Sequence, residues 1–418
     1  MRYITKTAVS LALILSLFCA IQAQPASTPT PQSSAEPPQE LIELRRTGYA
    51  ANYNLDYATA RAKFEEIRKR WPQHPAGDLY VANIIWLEHL YKLRRLQTGL
   101  YQNESFYAGF EGSKEEGETG DSVETKVDKE FRALMASAKT KALTLVNANR
   151  NDPHAKYYLG AVYSVLAAYE ASTARKFWSA LRNGSKGIDA HQQVLKLKPD
   201  YYDAYLSVGL YDYVIGNLPF PVKALIAMGG VRGNKERGIR QLNSIIEHNA
   251  ENADDARVML IGIYQNENKP EAALAILKDF TSRYPNNFLF RLELASALSQ
   301  QNRKDEAFAA FESLIKEAGT NSPAAKSMDL IRYQYAESLA KQQSFDKAAE
   351  QFLAASKEPN AEAGLATMAL LRAGQIYDLA SKRDEAVAQY KVVSTRPNVY
   401  DSRDQAQKGL KQPYKKAD

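Results

Sequence analysis

The chain has 418 residues, 45% hydrophobic and 24% charged, the balance of an ordinary folded protein with material for an extended core. Its formal net charge is +6, or +4 without Arg2 and Lys6 at the N-terminus, too small an excess to point to nucleic acid. Glycine is sparse at 21 residues, while Ala, Leu, Lys and Glu dominate, as helices prefer.

Arg2 and Lys6 make a basic start, Val9 to Ile21 is apolar but short for a membrane span, and Ala23 supplies a small residue at a cleavage point. Residues 1–23 are therefore expected to be a cleaved signal peptide, with a retained anchor as the alternative. Phe18 before Cys19 argues against lipidation. Cys19 is the lone cysteine, so a mature chain without it has neither disulfide nor thiol chemistry. The expected location is periplasmic or secreted, in a bacterial envelope. Residues 24–40 are rich in Pro, Ser, Thr and Gln and read as a disordered linker.

From Leu41 the chain turns amphipathic. Gly48, Ala60, Phe64 and Pro72 recur at helix–turn–helix spacing, and Asp56 is placed to cap the second helix. A helix is expected from Gly77 to about Leu100. Residues 109–122 are glycine-rich and acidic and read as an exposed insertion; helix resumes over Val123–Asn149. Leu159, Gly160 and Tyr163 mark a further first helix. Its partner is expected at Gly187–Leu197, delayed by an inserted turn or two. Tyr205 and Gly209 open the next unit.

Residues 214–235 are irregular. Pro219 and Pro221 break helix, Val222 to Met228 is apolar, and Gly229, Gly230 and Gly233 bracket Arg232 before Asn234, a candidate cap. Basic Arg232, Lys235 and Arg237 near a helix N-terminus are candidate anion-binding residues.

The clearest periodicity follows. Ala273 aligns with Ala307 and Leu277 with Phe311, both offset by 34 residues (307−273 and 311−277). Asn266-Glu267-Asn268-Lys269 and Gln301-Asn302-Arg303-Lys304 make polar turns, and Pro270 suits the first turn of its helix. Later units carry Ala348, Phe352 and Ala355, then Gly374, Tyr377, Ala386 and Tyr390. Tyr400 to Leu410 reads as a polar end helix, and 411–418 as a basic tail.

Tyr264, Ala273, Leu277 and Pro285 resemble the tetratricopeptide repeat family. That resemblance implies an all-α, right-handed α-solenoid over residues 41–410 and a binding scaffold of the exported bacterial type. It also implies that the first helix of each unit lines a concave groove. Tyr157, Tyr213, Gln265 and Asn266 are then the expected partner-binding residues, tyrosine offering rigid apolar area plus a hydroxyl. The family's Lys/Asn clamp for a peptide C-terminus has no match at Tyr157/Ala161, Leu206/Leu210, Val258/Gly262 or Leu292/Ser296, which disfavours that ligand.

The five histidines lack ligand spacing, and no phosphate loop or nucleophile elbow is present in the sequence. The expectation is a non-enzymatic protein with no cofactor and no metal. Its partner would be a protein or peptide; nucleic acid is not expected, nor is membrane contact. The competing reading is a lipid or small-ligand binder that uses the apolar insertion 214–228.

Overall fold

The computed structural model describes residues 35–96, 126–174, 176–218, 220, 223, 224, 227, 232–319 and 322–415. The expected signal peptide, most of the expected linker and the insertion 109–122 lie outside them, as does part of 214–235. The described residues form an all-α fold of helix–turn–helix repeats, of the α-solenoid class. The helices are α1 (Gln39–Tyr53), α2 (Tyr57–Arg70), α3 (Pro75–Lys92), α4 (Lys126–Ala148), α5 (Pro153–Ser172), α6 (Phe177–Leu197), α7 (Tyr205–Gly216), α8 (Lys235–Glu247) and α9 (Ala253–Asn266). There follow α10 (Pro270–Arg283), α11 (Phe288–Gln300), α12 (Lys304–Glu317), α13 (Met328–Lys341), α14 (Phe345–Lys357), α15 (Ala363–Leu379), α16 (Arg383–Ser394) and α17 (Ser402–Lys411).

Two compact units divide them. Unit 1 takes in residues up to Asn52, Asp56–Trp86 and Val123–Ile263; unit 2 takes in Tyr53–Leu55, Leu87–Ser122 and Tyr264 onward.

The turns between paired helices share one device. Leu55, Asn268, Asn302, Gln343 and Ser381 each sit two residues past the end of a first helix with positive φ, from 53° to 61°. In each, the next N–H returns to a carbonyl in the last helical turn: Lys269 to Tyr264 at 2.8 Å, Arg303 to Leu298 at 3.0 Å, Ser344 to Leu339 at 2.9 Å, Lys382 to Tyr377 at 2.8 Å, and Asp56 to Ala51 at 2.9 Å. That bond satisfies a carbonyl the helix would leave orphaned and reverses the chain within three residues. Caps start the helices: Asp56 accepts from Thr59 N–H at 3.0 Å, and Asp152 from His154 and Ala155 at 2.8 and 3.2 Å. Asn234 caps α8 by accepting from Arg237 N–H at 2.7 Å.

Small residues on first helices receive large ones from second helices. A Cβ on Gly48 would lie 2.4 Å from the Phe64 ring, and one on Gly374 would lie 2.8 Å from Tyr390. Ala295 and Phe311, then Ala336 and Phe352, repeat the spacing, and all are buried. In unit 2, α11 to α17 pack in sequence, and α11, α13, α15 and α17 also touch one another in succession, so pair stacks on pair. Its core runs from Phe288 through Phe311, Leu339, Phe352 and Leu371 to Tyr390.

In unit 1, α4 to α8 pack each on the next. Its centre holds Phe131 stacked on Tyr169 at 3.9 Å, with Trp86 edge-on to both.

Three elements differ from the sequence expectation. α6 is one 21-residue helix from Phe177, so the residues read as an inserted turn continue the helix; no proline interrupts them. α3 stops at Lys92, because Arg94 takes φ 59° and the Arg95 N–H bonds back to the Leu90 carbonyl at 2.8 Å. At the other end, Gln39 and Glu40 already belong to α1, and Ala35 is fully buried, its N–H on the Asp152 carboxylate at 3.2 Å.

Candidate functional site

Unit 1 contains an open cavity of about 250 Å³ walled by α1, α3, α5, the segment after α6 and the turn between α8 and α9. Its centre is Arg45 on α1, only 7% exposed. A buried guanidinium must find its partners inside. Arg45 Nη1 donates to Glu251 at 2.9 Å and Nη2 to the Asn252 side-chain carbonyl. Its planar head lies 5.1 Å from the Tyr49 ring centre and 5.7 Å from that of Tyr80, within cation–π range. Glu251 also receives Arg46 at 2.6 Å.

Asn252 ties the cavity together. Its backbone N–H donates to Asp203 Oδ1 at 2.7 Å, and its side-chain NH₂ donates to Tyr157 Oη at 3.0 Å. Burial pushes the Asp203 carboxyl up from its ordinary value, and Arg45 opposes that shift. Burial raises the Tyr157 and Tyr158 hydroxyls well above the usual range, so both are neutral donors and acceptors.

Aromatic faces supply the walls. Tyr157 stacks on Tyr201 at 4.9 Å, and Tyr202 on His248 at 3.7 Å and 11°. Tyr201 Oη lies 3.2 Å from His154 Nδ1. Lys198 stands over the Tyr201 ring at 5.6 Å. Arg45 and Glu251 are matched as an ion pair, Lys198, Asp200 and Asp203 add charge to the lining, and between them lies planar apolar area bordered by hydroxyl and imidazole groups. Such a surface binds by stacking and by short hydrogen bonds. Among the described residues, no three His, Cys, Asp or Glu side chains gather as a metal site, and no described helix is long and apolar enough to cross a membrane.

The tetratricopeptide repeat family model matches residues 258–323, where the αL turns at Asn268 and Asn302 lie. Over those residues the chain is similar to the tetratricopeptide repeat. Solved structures similar to it include a thermophilic tetratricopeptide repeat protein of Thermus thermophilus, at 16% identity and TM-score 0.33, covering 62% of this chain and 98% of that one. Yeast Tom70 is similar at 14% identity and TM-score 0.39, covering 88% and 89%. IFIT1 solved with Gppp-AAAA is similar at 14% identity and TM-score 0.43, covering 89% and 85%. No curated protein matches the chain. Tetratricopeptide repeat proteins are generally non-catalytic scaffolds.

The residues expected from the repeat register fall in different places. Tyr157 lines the cavity, but with its ring 9% exposed it contributes an edge and a hydroxyl. Tyr213 is not a surface residue: it is 5% exposed, on α7 where that helix presses against Gly238 of α8. Gln265 and Asn266 belong to unit 2; Gln265 donates to Glu293 at 3.2 Å, and Asn266 is exposed at the end of α9.

Of the candidate anion-binding trio, Arg232 is exposed and Lys235 opens α8. Arg237 is held on the protein: Nε and Nη2 both donate to buried Asp212 at 2.6 Å. That fork fastens α8 to α7.

Sequence reasoning missed Arg45, Lys198, Glu251 and Asn252. The one local signal was Lys198-Pro199-Asp200-Tyr201-Tyr202-Asp203, which is unusually dense in tyrosine and charge for a joint between helices.

Proposed function

We propose that this chain is a non-catalytic, exported interaction protein, working in assembly or maintenance of the cell envelope, whose unit 1 cavity seats an extended segment of a protein partner. One observation carries the reading: Arg45 is paired from within with Glu251 and hydrogen-bonded to Asn252, while the tyrosine and imidazole faces of Tyr157, Tyr201, Tyr202 and His248 line the same cavity and can meet a partner. Peptide backbone and apolar side chains suit such a lining. The net charge of +6 spread over 418 residues does not favour nucleic acid. Export rests on Arg2, Lys6 and the apolar run Val9 to Ile21.

The test is crosslinking capture from intact cells with the full-length chain and with a Tyr201→Ala, Tyr202→Ala variant shown by circular dichroism to fold. Defined proteins should be captured by the former and lost from the latter, and the chain should fractionate with the envelope or periplasm. Capture that is indifferent to the two tyrosines, or a chain retained in the cytoplasm with its N-terminus intact, would overturn the reading.

A second reading has its own observation. Phe220, after α7, is 80% exposed, and Trp178 at the start of α6 is 69% exposed. Large bare rings on a water-facing surface suit lipid or a small apolar ligand. Organic extracts of the purified protein would then hold a bound species that Phe220→Ser removes.

A further inference from the structure

We propose that the face of unit 2 beneath residues 412–415 is a peptide-docking surface, occupied in cis by the chain's own C-terminal segment. The partner it fits is an extended segment carrying a tyrosine. This surface is independent of the unit 1 cavity.

The C-terminal segment shows what the surface accepts. Past α17 the backbone becomes extended, with Gln412 at φ −150° and ψ 147°. Tyr414 N–H donates to Asp378 Oδ2 at 2.7 Å. The half-buried Tyr414 side chain borders a cavity of about 270 Å³ walled by Ala340, Phe345, Ile376 and Leu379. Arg372, bound to Glu337 at 2.7 and 2.8 Å, completes its lining. The surface therefore offers an acceptor for a backbone N–H, an apolar floor and a fixed guanidinium–carboxylate pair.

The surrounding fold is complete without this segment. Arg383 Nη2 donates to the carbonyls of Gly409 and Leu410 at 2.7 and 3.1 Å, so the end of α17 is closed before the chain turns extended. Asp378, fully buried, is held by Arg383 at 2.9 Å and by Tyr390 Oη at 2.8 Å. Removing Tyr414 strands no charge. The segment thus adds a ligand-like contact to a finished site, and the short tether lets a peptide in trans compete with it.

A segment tethered this closely acts at an effective concentration on the order of millimolar. A peptide that binds the open surface with a Kd of about 0.1 mM would then bind the intact chain about tenfold more weakly. Fluorescence anisotropy of a labelled Lys-Gln-Pro-Tyr-Lys-Lys peptide, the sequence of residues 411–416, reads this directly. The chains compared are the full chain, a chain ending at Lys411, and the full chain with Tyr414→Ala. The peptide should bind both altered chains and bind the unaltered one about tenfold more weakly. A peptide with alanine in place of its tyrosine should bind none of them. Binding to neither altered chain, or equal binding to all three, would overturn the proposal. Should the shortened chain fail to fold by circular dichroism, the Tyr414→Ala comparison decides alone. Tyr201→Ala and Tyr202→Ala in unit 1 should leave every one of these affinities unchanged, so failure here and failure of the unit 1 reading are told apart.

Discussion

The imidazole of His191 lies against the backbone of Gly160, so close that a Cβ there would come within 2.4 Å of its Cδ2. The ring cannot retreat. Nε2 donates to the Tyr157 carbonyl at 3.1 Å, and Nδ1 accepts from Ser207. Gly160→Ala should gain about 1 kcal/mol of helix propensity and lose about 2–3 kcal/mol to overpacking. A net loss of about 1–2 kcal/mol is expected in urea unfolding; a raised midpoint would mean that the ring moves.

His191 also sets a pH dependence. Burial pushes its pKa down to about 4, against the Tyr157 carbonyl, which favours its protonated form. Burial pushes His74 to about 4 as well, and His154 shifts the same way for the same reason. Between pH 6.5 and 4 the unfolded chain therefore binds more protons than the folded one. The stability held by these neutral imidazoles is full above pH 6.5 and is lost on acidification, by about 1.4 kcal/mol per unit per group at most. Asp203, with its pKa raised by burial, works in the opposite sense and blunts the slope at its acid end. Thermal unfolding at pH 7 and pH 5 should show the fall, and His191→Gln should reduce it; equal midpoints would show that these rings are accessible to protons when folded.

The αL turns give a prediction of the opposite sign. Ser381 is exposed at φ 60° between α15 and α16, in a conformation that costs a residue with a Cβ about 1–2 kcal/mol. Ser381→Gly should raise stability by about 0.5–1 kcal/mol after the entropy of glycine is allowed for. Ser381→Val should lower it. Guanidinium melts of the two variants check both signs, and a stabilising valine would mean the turn is not held in αL.

These turns also show what a linear sequence reveals. Asn268 and Asn302 mark their own turns, because asparagine tolerates αL. Leu55 and Ser381 do not, yet the apolar periods on either side fix where the chain must reverse. Gly48 with Phe64 and Gly374 with Tyr390 are likewise legible, since a small residue facing a large one is a local pattern repeated at constant spacing. The cavity was only partly so. Tyr157 follows from its place on a first helix, but Arg45 meets Glu251 and Asn252 across more than 200 residues of sequence, 206 and 207 apart. Nothing in the period of α1 distinguishes Arg45 from solvated Arg46 beside it; only the arrival of the α8–α9 turn buries one and leaves the other exposed.

That difference makes the two halves of the Arg45–Glu251 pair unequal. Glu251 is 24% exposed and keeps Arg46 at 2.6 Å if Arg45 is removed. Arg45→Met, which preserves the apolar stem against Tyr49 and Tyr80, should therefore cost only about 1 kcal/mol. Glu251→Ala strands a buried guanidinium and should cost about 3 kcal/mol, close to the penalty for breaking a buried pair. The double variant should then be more stable than Glu251→Ala alone, by about 1–2 kcal/mol, because the second change removes the stranded charge. A double-mutant cycle in urea measures this. If Glu251→Ala is instead nearly silent, the tyrosine faces and Asn252 suffice to hold the Arg45 charge, and the cavity keeps a cation that a ligand carboxylate could reach.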